Sequence, residues 1–335
     1  MKRIFLFSVS LLVASSLFAQ TIDDIGRISI SVQRPSNNAI PAEALNTLED
    51  KMHQIVTTGG ISDNDFNKRF AITATISIGK KDIISGSPAR VTQVVDVTFY
   101  VKDVVEKKEF AHATLSATGV GLNENKAFIM AFSSIKPANP NLQRMIEDSK
   151  SRIIAYYRTN CERVLAKAQT LAGQNEFDKA LYLLAQVPDV CSDCMNKCQK
   201  TMVDVYQHKM ETESISLLSS AKSAWAASPN AQGALQATRY LSKIHPLASC
   251  QPQVESLLQE MKEKVKDDER KAWEFELQQY EDAKAREQRD FEYEREKNGQ
   301  QHAKEIAMIE AGRQVALEFA KQPITVNQYY KIIEL

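Results

Sequence analysis

No charge of one sign dominates this chain: 42 Lys and Arg residues stand against 42 Asp and Glu over 335 residues. A nucleic-acid-binding surface rests on a basic surplus or stripe, and neither is present. Histidine is scarce. His53, His112, His208, His245 and His302 are scattered, without the HExxH or paired spacing that holds zinc. No G-x-S-x-G elbow, Walker loop or kinase signature occurs. After residue 18 no apolar run approaches the roughly 20 residues that a helix needs to span a bilayer, so no membrane span is expected in the mature chain. No cysteine precedes Cys161, which leaves no residue for a lipid anchor at a leader cleavage point. These absences argue against nucleic-acid partners, cofactors and resident metals. They lower an enzymatic reading, although catalytic groups can be gathered from distant positions.

What is present begins with residues 1–19. Lys2 and Arg3 precede an apolar run from Ile4 to Phe18, and Ala19 closes it before the polar Gln20-Thr21. This is the layout of a secretory signal peptide. The expected product is exported, periplasmic or outer-membrane-associated, and not lipidated. Loss of the leader leaves 40 basic against 42 acidic residues.

Residues 20–138 carry both periodicities. Ile28, Ile30 and Val32 alternate with polar residues, predicting a half-buried strand. Pro41 opens a helical pattern through Leu45, Leu48, Met52, Ile55 and Val56, which Gly59-Gly60 closes. A second strand runs from Phe70 to Ile78 and is expected to stop at Gly79. Val91–Val101 and Phe110–Thr118 read as two more strands around a Glu106-Lys107-Lys108 turn. Asn123 is placed to cap a helix from Glu124 to Ile135. The order β-α-β-β-β-α predicts an α+β domain with a mostly antiparallel sheet.

From residue 139 to 252 the pattern is helical. Asn141–Ala172 is one long helix, Gly173–Glu176 a turn, and Phe177–Gln186 a second helix stopped before Pro188. Two further helices are expected at Met195–Glu211 and Ser214–Ala227, then Gln232–Ile244 before Pro246. Ala180, Leu184, Val187 and Pro188 match Ala237, Leu241, Ile244 and Pro246 at a spacing of 57–58 residues. Units stacked at such a spacing share a core.

Residues 253–322 read as a long charged helix. No Gly or Pro occurs from Gln253 to Asn298, and 25 of the 44 residues from Val254 to Lys297 are charged. Val254, Leu258, Met261 and Val265 form one apolar seam; Trp273, Leu277 and Tyr280 form another. A docked, largely solvated helix fits better than a continuous coiled coil. The tail, 323–335, opens with Pro323 and is β-prone from Ile324 to Ile333.

Two motifs could carry chemistry. Cys191-Ser192-Asp193-Cys194 is a C-x-x-C pair, which can close a disulfide, hold metal or exchange thiols. Five cysteines in an oxidising compartment leave at least one unpaired or bridged to another chain. The structural-disulfide candidates are Cys191, Cys194 and Cys250. A local Cys191–Cys194 bridge is preferred over one from either residue to Cys250. Gly119-Val120-Gly121 resembles the start of a dinucleotide loop, but Glu124 occupies its third glycine position and would repel a pyrophosphate; a plain strand-to-helix turn is expected.

The spacing of Phe177, Ala180 and Leu184, with Ala168 twelve residues before Ala180, resembles a tetratricopeptide repeat. Ala168, Phe177, Ala180, Leu184, Ala237 and Leu241 are therefore the candidate repeat core. The first domain is similar to the α+β domain of the curli-assembly and TolB amino-terminal group. That similarity runs from the Leu45–Val56 helix through Phe66-Asn67-Lys68-Arg69-Phe70 and Val97–Asp103 to Gly119-Val120-Gly121. The chain departs from the curli channel in having no lipidation cysteine and no long amphipathic hairpin, so pore formation does not carry over. The resemblance implies an envelope-associated scaffold or assembly role. The leading expectation is a non-enzymatic interaction protein that binds a protein partner through helical-repeat grooves. The alternatives are a thiol-active or metal-dependent envelope enzyme centred on Cys191 and Cys194, and a homo-oligomeric accessory of outer-membrane secretion or assembly.

Overall fold

A computed structural model of the chain describes residues 28–61, 68–265, 267–297 and 303–322. The expected leader (1–19), the expected β-prone tail (323–335) and Phe66-Asn67 lie outside the described residues. The described chain divides into two units. One holds residues 28–162, 186–196 and 320–322, and the other holds 163–185 and 197–319.

The first unit is built on a mixed four-stranded sheet. Its elements are β1 (Ser31–Val32), α1 (Ala42–Thr58), β2 (Phe70–Ile84), β3 (Arg90–Asp103), β4 (Lys108–Gly121) and α2 (Glu124–Ser133), in the expected order. Spatial order is β1-β2-β3-β4. β1 runs parallel to β2, a pairing that requires a crossover, which α1 supplies. β2, β3 and β4 pair antiparallel. α1 buries Leu45, Leu48, Met52, Ile55 and Val56, and α2 buries Ala127, Phe128, Ala131 and Phe132. These stripes form one core with Ile72, Val95, Val97, Phe99 and Val101 from alternate positions of β2 and β3. Asn123 caps α2 as expected, its side chain accepting from the Lys126 N–H at 2.9 Å. Thr75, Thr114 and Ser116, on the opposite face, are exposed.

Two strand expectations change. Ile28 to Ser31 are all buried, not half-buried. Serine is small enough to pack there, and Ser31 Oγ donates to the Phe70 carbonyl at 3.3 Å. Gly79 does not end β2, which continues to Ile84 through a register shift between Ile78 and Lys81. Gln93, fully buried, lies opposite Lys81. Its amide donates to the Val94 carbonyl at 2.8 Å and reaches the Gly79 carbonyl at 3.4 Å. The glycine marks a bulge, not a stop.

α3 (Pro140–Gly173) begins in the first unit and continues into the second. In the second unit follow α4 (Phe177–Ala185), most of α5 (Ser192–Ala227), α6 (Ala231–Leu241), α7 (Gln251–Lys264), α8 (Asp267–Lys297) and most of α9 (Ala303–Lys321). α5 corrects the two expected helices at 195–211 and 214–227: it is continuous. No Gly or Pro interrupts Ser192–Ala227, and Met210, Ser214, Leu218, Ala221 and Trp225 keep one buried stripe across the expected gap.

The single helix expected from Gln253 is also corrected. It breaks at Val265, whose backbone is extended (φ −74°, ψ 124°). The eight residues separating Val265 from Trp273 turn the second apolar seam about 80° away from the first along a straight helix. A break lets both seams be buried. Trp273 is fully buried and its indole N–H donates to Thr238 Oγ1 of α6 at 2.8 Å, while Leu277 and Tyr280 pack into the same core.

Candidate interaction groove and the cysteines

The candidate repeat-core residues all lie inside the second unit. Ala168, Ala180, Leu184, Ala237 and Leu241 have no exposed surface, and Phe177 is 6% exposed. Phe177 meets the His208 ring edge-on, centroids 5.1 Å apart. Alanine at 180 and 237 allows close approach of the helix backbones. α6 is set up by Asn230, whose side chain accepts from the Gln232 and Gly233 N–H groups. A Cβ on Gly233 would fall 1.7 Å from the Ser228 carbonyl oxygen, so only glycine permits this turn.

Between the end of α5 and α7 lies an open groove of about 550 Å³. Trp225, Ala226, Pro229, Pro252 and Leu257 supply apolar surface, while Lys222, Gln253, Glu260 and Lys264 contribute polar groups. Those polar groups are held in place. The Trp225 indole N–H donates to Glu260 Oε1 at 3.1 Å, and Lys264 Nζ lies 2.7 Å from the same oxygen. Lys222 Nζ donates to Gln253 Oε1 at 3.1 Å. The hydrogen bonds from Lys264 and then Trp225 hold the Glu260 carboxyl below its usual range. An apolar channel with oriented polar groups can receive an amphipathic peptide or helix.

A smaller cavity of about 220 Å³ lies among Tyr206, Lys209, Glu213, Ser214 and His245. Burial pulls the Lys209 ammonium toward neutrality. Hydrogen bonds to Glu213 and Asp178, at 2.6 and 3.0 Å, outweigh that pull and raise it above the ordinary lysine value. Lys209 is thus a charged tie between α4 and α5, far from the neutral amine of a nucleophile. His245 is held below its ordinary value by burial, opposed by Glu211, and its Nδ1 accepts from the Leu247 N–H at 3.1 Å.

Sequence reasoning missed the first unit's buried ion pair. Arg69 and Asp103, 4% and 0% exposed, join β2 to the end of β3. The guanidinium donates to Asp103 Oδ2 through Nε and Nη2 at 2.9 and 2.8 Å, and it lies 4.1 Å from the Tyr156 ring centroid. Asp103 Oδ1 accepts from the Val105 and Glu106 N–H groups. The only sequence signal was polarity at an inward position, Asp103 continuing the 95-97-99-101 alternation. All of these contacts serve the fold, since Asp103 is committed on both oxygens.

The cysteine expectation is corrected. Cys161 of α3 and Cys194 of α5 form the disulfide, with Cα atoms 5.6 Å apart and a sequence separation of 33. Neither the local Cys191–Cys194 bridge nor a bridge to Cys250 exists; Cys191, Cys198 and Cys250 stand outside the disulfide and are buried. Cys191 precedes α5 and Cys194 lies within its first turn. Cys161 belongs to the buried stripe of α3 with Tyr157, Val164 and Leu165, and that periodicity was the available sequence signal. Burial pushes the Cys191 thiol up, Arg158 offsetting part of the rise, and burial likewise raises Cys250. Raised, buried thiols are poor nucleophiles.

Gly119 and Gly121 lie at the end of β4, not in a loop. A Cβ on Gly119 would sit 2.0 Å from the Ala127 carbonyl oxygen, and one on Gly121 would sit 2.5 Å from the Ala127 nitrogen. The glycines exist because α2 crosses the strand in direct backbone contact.

No protein-family model matches the chain, and no curated protein matches it. Among solved structures it is similar to a minor lipoprotein from Acinetobacter baumannii, 14% identical over 38% of this chain and 94% of that one, with a TM-score of 0.24. A likeness at that score carries no argument about fold or role. Among the described residues no helix is long and apolar enough to cross a membrane.

Proposed function

We propose that this is an exported, non-enzymatic interaction protein of the cell envelope, which binds a protein partner through a groove of a tetratricopeptide-like helical array. The observation that carries the reading is the α5–α7 groove, in which exposed apolar surface from Ala226, Pro229 and Pro252 lies beside polar groups already held by internal hydrogen bonds. A bound segment meets a preorganised surface there and loses little free energy to rearranging it. The basic-apolar-small pattern of residues 1–19 supports export, and the Cys161–Cys194 disulfide suits an oxidising compartment. The thiol-enzyme alternative loses support, since Cys194 is bonded to Cys161 and the Cys191 thiol is pushed up.

A photo-crosslinking residue at Ser256, inside the groove, should give one discrete adduct in intact cells. The same residue at Gln259, outside the groove lining, should give none. Equal yields at the two positions would remove the groove from consideration. Intact mass of the product should correspond to a chain beginning at or near Gln20, and retention of Lys2 and Arg3 would end the export reading.

A further inference from the structure

Ser214 of α5 is 2% exposed and lines the cavity of about 220 Å³ in the second unit. Among the described residues its hydroxyl has no hydrogen-bond partner. Ser220 and Thr238, in the same unit, donate to carbonyls four residues earlier in their helices; Ser214 does not. A buried hydroxyl without a partner has given up its bonds to water and received nothing from the fold. A guest in the cavity would restore them.

Two further donors line the same space. His245 Nδ1 accepts from the Leu247 N–H, which places the neutral ring's proton on Nε2 and leaves that N–H to donate. Among the described residues the Tyr206 hydroxyl also has no hydrogen-bond partner. The charged groups of the lining divide into a pair and two remainders. Lys209 and Glu213 are paired at 2.6 Å. Lys243 and Glu287 form no ion pair, with each other or elsewhere among the described residues. One cation and one carboxylate are thus left uncommitted beside neutral donors. Burial, and then Asp290, push the Glu287 carboxyl up, an effect that a guest cation would oppose. Among the described residues Glu213, His245 and Glu287 do not converge within the reach of one metal ion. The cavity is smaller than the roughly 300–1,000 Å³ of sites for drug-sized ligands, and a water takes up about 30 Å³, so a guest is a small solute.

We propose that this cavity binds a small zwitterion of the α-amino-acid class, its ammonium held by Glu287 and its carboxylate by Lys243, Ser214 and His245 Nε2–H. This goes beyond the functional reading above and does not depend on it, since the α5–α7 groove has a separate lining.

Titration of the oxidised full chain with glycine, alanine and serine at millimolar concentration, followed by the magnetic resonance of the His245 imidazole, tests the proposal. At least one of these probes should give a saturable shift. Acetate and ethylamine, each carrying one of the two charges, should bind at least about tenfold more weakly. Glu287→Gln should weaken the bound probe on the order of tenfold to a hundredfold, as expected for a charged hydrogen bond. Ser214→Ala should weaken it roughly fivefold and leave the urea midpoint unchanged or raised, because its hydroxyl surrenders no partner in the fold. No saturable shift with any of the three probes overturns the proposal. So does acetate or ethylamine binding as tightly as the zwitterion, or binding that survives both substitutions. A lowered midpoint for Ser214→Ala also overturns it, since the hydroxyl would then be serving the fold.

Discussion

At the scale of single residues, the glycines separate into those the fold requires and those it tolerates. Gly119 faces backbone atoms of α2 at 2.0 and 2.3 Å from its would-be Cβ, whereas Gly173 has nothing within 4 Å. Gly119→Ala should therefore cost at least about 3 kcal/mol, the upper end of overpacking penalties, because helix backbone cannot step aside. Gly173→Ala should be neutral or gain roughly 0.5 kcal/mol by restricting the unfolded chain. Urea midpoints of the two variants check this; equal shifts would mean that α2 does not lie against β4. His245 gives a pH signature. Its folded-state pKa is depressed by burial, so the unfolded chain takes up a proton first. Its contribution is complete above the ordinary histidine range of about 6.5 and is lost as pH falls toward the folded value. His245→Asn should flatten the stability profile in that window, measured by thermal melts from pH 7.5 downward. An unchanged slope would show that the histidine carries none of it.

Among elements, the junction of α6 with α8 shows how a mostly charged helix is fixed in place. Most described positions of α8 are exposed, but Trp273 has no exposed surface and donates to Thr238. Truncation of such a side chain leaves a cavity and an indole-sized loss of contact. Trp273→Ala should cost about 3–5 kcal/mol, and Trp273→Phe should cost less. Denaturation followed by helical circular dichroism gives the comparison; a Trp273→Ala chain as stable as the parent would mean that α8 is undocked. The same junction shows what was legible beforehand. The two apolar seams could be read from spacing, and so could the capping of α2 by Asn123. The break between the seams could not, because Val265 and its neighbours contain no Gly or Pro. Packing against α6 overrode a local sequence that would continue the helix. Likewise Gly79 reads as a stop in isolation, yet cross-strand pairing with Gln93 and Val95 carries β2 past it.

Taken as a whole, the molecule ties its stability to redox conditions through one covalent link. On the loop-entropy model a bridge spanning 33 residues stabilises by roughly 4 kcal/mol. Protein kept under reducing conditions should lack the bridge and unfold at lower denaturant. Replacing Cys161 by Ser should lower the midpoint similarly. Non-reducing peptide mapping of the oxidised protein should return the Cys161–Cys194 pair and three alkylatable thiols after unfolding. A Cys191–Cys194 peptide would contradict the fold around α3 and α5.

The sequence by itself determined the alternation of Phe70–Ile78 and Val91–Val101, the β-α-β-β-β-α order, the change to helix near Pro140, and the burial stripes through Ala180, Leu184, Ala237 and Leu241. These follow from periods of two and of 3.6 residues, which are local properties of the chain. Tertiary structure alone decided which cysteines meet, where the charged helix breaks, and that Arg69 finds Asp103. It also decided that Trp225 and Leu257 line one groove. Each of these depends on residues distant in sequence coming within a few ångströms, and spacing along the chain carries no information about that distance.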